Sequence, residues 1–398
     1  MRTLLSNAWV LTPFRTIPRG GVLVEGARIA EVFSGEPELP GPPRPGERRI
    51  DLGGRILAPG FIEIHSHGAG GHDFMDGSAE AVLEACRTHL RHGVTALYPT
   101  TLTCAAPKLV RVLELIGKAR QEREGMPAIP GVHLEGPYLS PEQAGAQDPR
   151  YLRNPEPREY LGLLERFDFI RRWTAAPELP GGLALGHDLS ARGIVASIGH
   201  SNAGYEEVLA AFRGGYSLVT HLFNGMSRLV RRNAWMHLGV AESALAIDGL
   251  AVELIADGKH LPAPLLRLIY KVKGPQGICL TTDSMRAAGQ EVKESILGSL
   301  EDGQRVPVED GVAFMPDRQS FAGSVATADR LVRTMVQLAD VPLAEAVRML
   351  THTPARVMGI DGRKGSLEPG RDADLVAFDE GIRIGLVMVE GEVRLEAL

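Results

Sequence analysis

Short apolar runs alternate with amphipathic stretches through most of this chain. Eight runs have the length and composition of buried strands: FIEIH (61–65), VTALYP (94–99), GVHLE (131–135), FIRRWTAAP (169–177), IVASIG (194–199), LVTHLF (218–223), AVELIA (251–256) and ICLTTD (278–283). Between them, apolar residues recur every three or four positions, for example over 78–92, 107–123, 156–167 and 204–213, which predicts helices. Strand and helix in alternation imply parallel strands, each returning through a helix. Eight such units over about 300 residues predict an α/β fold, a (β/α)8 TIM-like barrel. Beyond the eighth strand, 324–339 and 342–351 read as helices, the second entered through Pro342.

The two ends carry a different pattern. LLSNAWVL and GVLVEGARIAEVF are β-rich, and a Pro-rich stretch at 37–47 reads as a surface loop of polyproline character. The C-terminal DADLVAFDEGIRIGLVMVEGEVRLEAL returns to the same style. VEGARI near the start and VEGEVR near the end both look like hairpins. The economical reading is one small β-domain formed by both chain termini, residues 1–55 and 358–398, flanking a barrel over 56–357.

Bulk properties narrow the class. The 398 residues exceed one ordinary core and suit a barrel with a satellite domain. A net charge of -6 and a pI near 6.1 argue against a general nucleic-acid or membrane-surface role. Cys86, Cys104 and Cys279 form no CxxC pair, so buried free thiols in a reducing compartment are expected. The opening MRTLLSNAWVLTPFRT lacks a secretory pattern, and no apolar run approaches the roughly 20 residues that span a bilayer. The expected location is the cytoplasm, with no nucleic-acid or membrane partner.

The candidate chemistry is positional. His65 and His67 end the first strand, Glu135 the third and Asp283 the eighth; His200 follows the fifth, His221 lies in the sixth and His260 follows the seventh. Barrel active sites form at these C-terminal strand ends. In an extended HSH, both imidazoles share one face and can each offer a neutral nitrogen to a metal. A buried carboxylate such as Glu135 needs a cation or several hydrogen bonds, and the plain alternative is a helix cap. His133 sits one step deeper and is expected behind the ligands or in the core rather than among them. Glu135 with His200 and His221 makes a His2Glu set that leaves a coordination position open for water. Asp283 can move the proton of that water, unless it merely caps a helix.

PGFIEIHSHG, HLEGPYLSP, GHSNAGY, THLFNGMS, DGKH, TTDSM, FAGS and PARVMGIDGRKGSLEPGRDADLVAFD, in this order, resemble the N-acetylglucosamine-6-phosphate deacetylases of the amidohydrolase superfamily. The resemblance implies Glu135, His200 and His221 as ligands of a main metal, and His65 and His67 as ligands of a second in members that keep HxH. It implies one or two divalent ions (zinc, iron, manganese or cobalt), with Glu135 bridging when both are present, and a small β-sandwich domain formed by both chain termini. Asp283 would be the acid/base, and His260 would polarise the substrate carbonyl or hold the sugar. The fourth strand ends in TAAPEL without a lysine, which disfavours a carboxylated-lysine centre. Backbone amides at Asn224–Gly225 would hold a phosphate, completed by Arg232 from the neighbouring subunit of a homodimer, with Arg228 and Arg231 nearby. The plain alternative for SRLVRRNAW is a solvated basic loop. Gln147, in GAQDP, stands where the family commonly has a histidine that touches the sugar, and RRNAWMHLGV departs from the usual REPGLVG.

The implied reaction is metal-dependent deacetylation of N-acetylglucosamine 6-phosphate to glucosamine 6-phosphate and acetate. The rivals are a deacetylase of another N-acetyl amino sugar, such as N-acetylgalactosamine 6-phosphate, or of an N-acyl amino acid. The rival of another class is a non-catalytic metal- or sugar-binding protein on the same barrel.

Overall fold

The computed structural model describes residues 1–35 and 45–398. Eight parallel strands follow one another around a barrel: Phe61–Ser66, Val94–Thr101, Val132–Glu135, Ile170–Ala175, Val195–Ile198, Tyr216–Val219, Ala251–Ile255 and Ile278–Thr281. They overlap the eight predicted runs, and are called strands one to eight below; the sixth ends at Val219 and the eighth at Thr281, so His221 and Asp283 follow their strands, where they were expected within the sixth and at the end of the eighth. The second is buried at every position, as befits a strand covered on both faces. Strands one and eight close the ring through a parallel bridge between Ser66 and Ser284. The predicted helices form at Ala79–Arg91, Ala106–Gln121, Pro157–Arg166 and Tyr205–Arg213. Ser78 Oγ caps the first by accepting from Ala81 N–H. After the barrel come Ala328–Gln337, then Leu343–Arg348 entered through Pro342, then His352–Val357.

Both chain ends pair into one sheet, as expected. Ile56–Pro59 runs parallel to Arg2–Leu11 and antiparallel to Leu375–Phe378, joining the two termini. This strand lies beyond the expected boundary at residue 55. The period of two sorts the side chains between two cores. Leu57, Leu375, Ala377, Leu386 and Met388 enter a small core within the terminal sheet. Ile56, Ala58, Val376, Phe378, Val387 and Val389 enter the main barrel core. That division explains why these strands are apolar at nearly every position. Both anticipated hairpins are present, turning between Glu25 and Arg28 and between Val389 and Glu392. Of the Pro-rich loop expected at 37–47, residues 37–44 lie outside the described residues. Glu47 opens a strand, Glu47–Asp51, where a loop was expected.

One element is absent from the sequence reading. Between strand eight and the helix at 328, a four-stranded antiparallel sheet forms from Glu294–Leu297, Gln304–Glu309, Val312–Phe314 and Phe321–Ser324. It has its own small core of Met285, Ala287, Leu297, Val306, Ala313 and Ala322. The three cysteines are buried and unpaired, as expected. Among the described residues, no helix is long and apolar enough to cross a membrane.

Phe378 packs against Phe61 of strand one, with ring centroids 6.3 Å apart, where the terminal sheet meets the barrel. Phe378→Ala should lower stability by about 3–5 kcal/mol. Chemical denaturation of the metal-loaded protein checks this, with metal content unchanged in the folded variant.

Candidate active site

The ends of strands one, three, five, six and eight converge at one mouth of the barrel. Glu135 Oε1 lies 3.2 Å from His200 Nε2 and 3.0 Å from His221 Nε2. The two imidazole nitrogens are themselves 3.2 Å apart. His200 Nδ1 donates to the Gln143 carbonyl (2.8 Å) and His221 Nδ1 to the Asn224 carbonyl (3.1 Å). With Nδ1–H engaged, each ring in its neutral form presents an Nε2 lone pair. Three acceptor atoms then face one another with no proton between them. Their mutual repulsion is relieved by a cation at their centre, so the donor set fits a metal.

His65 and His67 complete a second cluster with the same glutamate. His67 Nε2 is 3.2 Å from Glu135 Oε2, and His65 Nε2 is 3.6 Å from Oε1. His65 Nε2 is buried without a hydrogen-bond partner. Asp283 Oδ1 faces this pair at 3.4 Å from His65 Nε2 and 3.3 Å from His67 Nε2. Each triad, His65–His67–Glu135 and Glu135–His200–His221, has its donor atoms within 4.8 Å of one another. Glu135 belongs to both.

The electrostatics point the same way. Burial opposes charge on His65, yet Asp283, Glu135 and Glu253 outweigh it and raise its pKa well above the ordinary range. Burial also opposes charge on His67, but the Asp283 and Glu135 carboxylates lift it to about 9. Asp283, despite burial, is drawn down to about 2 by His65 and His67. A negative field that draws protons onto imidazoles also attracts a divalent cation.

The backbone at these positions is unusual. His200, His221 and Asp283 have φ of 46°, 28° and 44°, in the left-handed region that L-residues seldom adopt. Such conformations persist where surrounding contacts enforce them. Asp283 N–H donates to the His65 carbonyl and its own carbonyl accepts from Ser324 N–H, both at 2.9 Å. Gly225, also left-handed at 54°, packs so close that a Cβ would stand 2.9 Å from His200 Nδ1.

The remaining candidates fall into three places. His260 lines the same cavity of about 460 Å³ as Asp283, Asn224 and Gly225. Its Nδ1 is held at 2.7 Å by Asp257, whose other oxygen caps the backbone of Lys259 and His260. Gln147 also lines the cavity, but its amide is engaged: Nε2 donates to Glu135 Oε2 at 2.7 Å, and Oε1 accepts from Thr103 N–H. Arg232 is exposed on a short hairpin, Val230–Arg232 with Trp235–His237, and lines a different cavity. Arg228 of the same loop does reach the main one. His133 is a core residue as expected, bound to Thr100 and Thr174 hydroxyls.

Several participants escaped the sequence reading. The Gln143 carbonyl holds His200, and Asn224, anticipated only through its backbone amide, holds His221 through its carbonyl, roles that no side-chain pattern reveals. Asp257 was legible in DGKH as a carboxylate three residues before a histidine. The lip of the cavity is formed by Phe314, Arg318 and Phe321 from the unanticipated sheet.

A parallel barrel that gathers imidazoles and carboxylates at its C-terminal mouth is the frame of a metal-dependent hydrolase. The Amidohydrolase family model matches residues 56–394. The N-acetylglucosamine-6-phosphate deacetylase of Lysinibacillus sphaericus is 33% identical over 356 residues, 88% of each chain. The N-acetylgalactosamine-6-phosphate deacetylase of Escherichia coli O157:H7 is 33% identical over 340 residues, covering 85% of this chain and 87% of that one. The crystal structure of N-acetylglucosamine-6-phosphate deacetylase from Pasteurella multocida superposes with a TM-score of 0.90 at 30% identity, over 99% of both chains. The chain belongs to the amidohydrolase family, among its N-acetylglucosamine-6-phosphate deacetylases. It is a metal-dependent hydrolase of carbon–nitrogen bonds.

Adding a divalent ion to the chelator-stripped chain should raise its unfolding temperature, since the ion binds only the folded arrangement. At a thousandfold excess over Kd the gain is about 4 kcal/mol. His200→Ala and His221→Ala should each remove most of that gain, as read by calorimetry with and without metal.

Proposed function

We propose that this chain deacetylates N-acetylglucosamine 6-phosphate, releasing glucosamine 6-phosphate and acetate. The observation that carries the reading is Asp283, an acid that meets His65 and His67 directly and lines one cavity with Glu135, His200 and His221. Glu135, His200 and His221 would hold the main ion, and His65 and His67 a second that shares Glu135. Imidazole and carboxylate donors suit zinc, iron, manganese or cobalt. A bound divalent ion brings the pKa of water towards neutrality and polarises a carbonyl.

The protein's own part follows from the positions above. Asp283, kept ionised, accepts a proton from the attacking water. It returns that proton to the amine as the carbon–nitrogen bond breaks. His260, held at Nδ1 by Asp257, presents Nε2 to the acetamide carbonyl or to the sugar. The Asn224–Gly225 backbone borders the cavity where a phosphate would sit. Gln147 holds Glu135 Oε2 and contributes to the pocket wall beside the sugar.

Arg232 lines another cavity within its own chain, and we assign it to the neighbouring site of a homodimer. The exposure of Trp235 (76%) and Met236 (50%) beside it supports a hairpin that packs on a second subunit. An arginine fork suits phosphate recognition. The proposed setting is the cytoplasm, in keeping with three unpaired buried thiols. We assign the chemistry to the barrel over 56–357, and a supporting role to the terminal sheet from 1–55 and 358–398.

Metal-replete protein should release acetate from N-acetylglucosamine 6-phosphate faster than from the galactosamine epimer or from either sugar without phosphate. Acetate release from the epimer alone would reassign the substrate, a relevant arm given the equally similar relative. Metal-loaded protein that binds these sugars without releasing acetate would favour the non-catalytic reading. Asp283→Asn should lower kcat by at least about 10²–10⁴-fold, with metal content retained. Near-normal turnover would remove Asp283 from the acid/base role.

A further inference from the structure

Below the clusters, inside the barrel, lies a fully buried ion pair that the mechanism above does not use. Arg172 of strand four meets Glu253 of strand seven, strands that are not neighbours in the sheet. Their side chains therefore meet across the barrel interior. All five N–H groups of the guanidinium are engaged. Nη1 donates to Glu253 Oε1 and to the Ile64 carbonyl (3.1 Å). Nη2 donates to Glu253 Oε2 (2.8 Å) and Thr220 Oγ1 (2.9 Å), and Nε to Ser197 Oγ (3.0 Å). Both side chains have no exposed surface.

Glu253 passes this order upward. Its Oε2 accepts from His65 Nδ1 at 3.2 Å and from His221 N–H at 3.3 Å. Because Arg172 keeps the carboxylate ionised, it can only accept, so Nδ1 of His65 carries the hydrogen. In the neutral ring that a cation would meet, Nε2 is then a lone pair, buried and without a partner, aimed between Glu135 and Asp283. His200 and His221 have their tautomers set by backbone carbonyls instead. Of these three histidines, His65 alone is oriented by an ionic side chain.

We infer that Glu253, locked by Arg172, is a positioning residue that presents His65 Nε2 to the second cation and so creates that site selectively. The inference rests on the proposed two-ion centre. A carboxylate behind a ligating imidazole fixes the ring and raises its basicity, and loss of such a partner typically weakens metal binding about 10–100-fold. The main ion should be far less affected, since the His221 ring has its own anchor at Asn224.

Equilibrium dialysis with Co2+ as the only metal tests this on the full chain, alongside the visible absorption of the Co2+-loaded protein. Glu253→Gln keeps a neutral acceptor. The double variant R172M/E253L removes both charges together, which avoids stranding a buried Arg172. Wild type should take up two Co2+ per chain. Both variants should keep one at wild-type affinity and bind the other about 10–100-fold more weakly, with the absorption of one site lost. Thermal unfolding of the metal-free proteins verifies folding, and E253Q carries the test if the double variant does not fold. Two ions at unchanged affinity in a folded variant would overturn the inference and leave the two-ion reading standing. Equal weakening of both ions would overturn its selectivity. A wild-type chain that takes up only one Co2+ in excess metal would refute the two-ion reading, and the inference with it.

Discussion

The structure depends on the seam between the first and last barrel strands. His67 N–H donates to the Ser284 carbonyl and Asp283 N–H to the His65 carbonyl, at 2.8 and 2.9 Å. Ser66 and Ser284 hydroxyls meet at 2.9 Å, and His89 closes on Ser66 from the neighbouring helix. The residues that complete the hydrogen-bonded ring are therefore the chemical residues or their direct neighbours. Closing the barrel and assembling the site are one event. A barrel left open here would separate Asp283 from His65 and His67.

Beneath that seam, polarity is layered rather than scattered. The mouth holds carboxylates and imidazoles whose acceptors converge and call for a cation. The next layer, Arg172 with Glu253, is electrically closed and fully hydrogen-bonded, so the buried charges satisfy one another. Buried ion pairs seldom add net stability over apolar packing, and they are more informative about orientation. The terminal sheet contributes differently. Its alternating residues fill two cores at once, so it braces the barrel wall far from the chemistry.

The eight barrel strands, the flanking helices and the joining of the chain ends were legible in the sequence. These are local patterns with strong periods, and parallel strands buried on both faces read as unbroken apolar runs. The sheet after strand eight was not legible. Strands of three to six residues, half exposed and separated by turn residues, leave little periodic signal. Arg172 and Glu253 are charges within apolar strands, yet nothing in the sequence marks them as partners. Gln147 shows the same limit: its place in the GAQDP segment suggested the sugar, and the fold puts its amide on Glu135.

Sequence alone determined the kind of fold and the inventory of candidate ligating side chains, because strand ends mark the mouth of any such barrel. Tertiary structure alone decided which lone pairs face which. Tautomers follow from partners such as the Gln143 carbonyl, the Asn224 carbonyl and Glu253, and these meet the histidines only when the chain folds. The hydrogen bond between His65 and Glu253 joins residues 188 positions apart, and no local pattern encodes it.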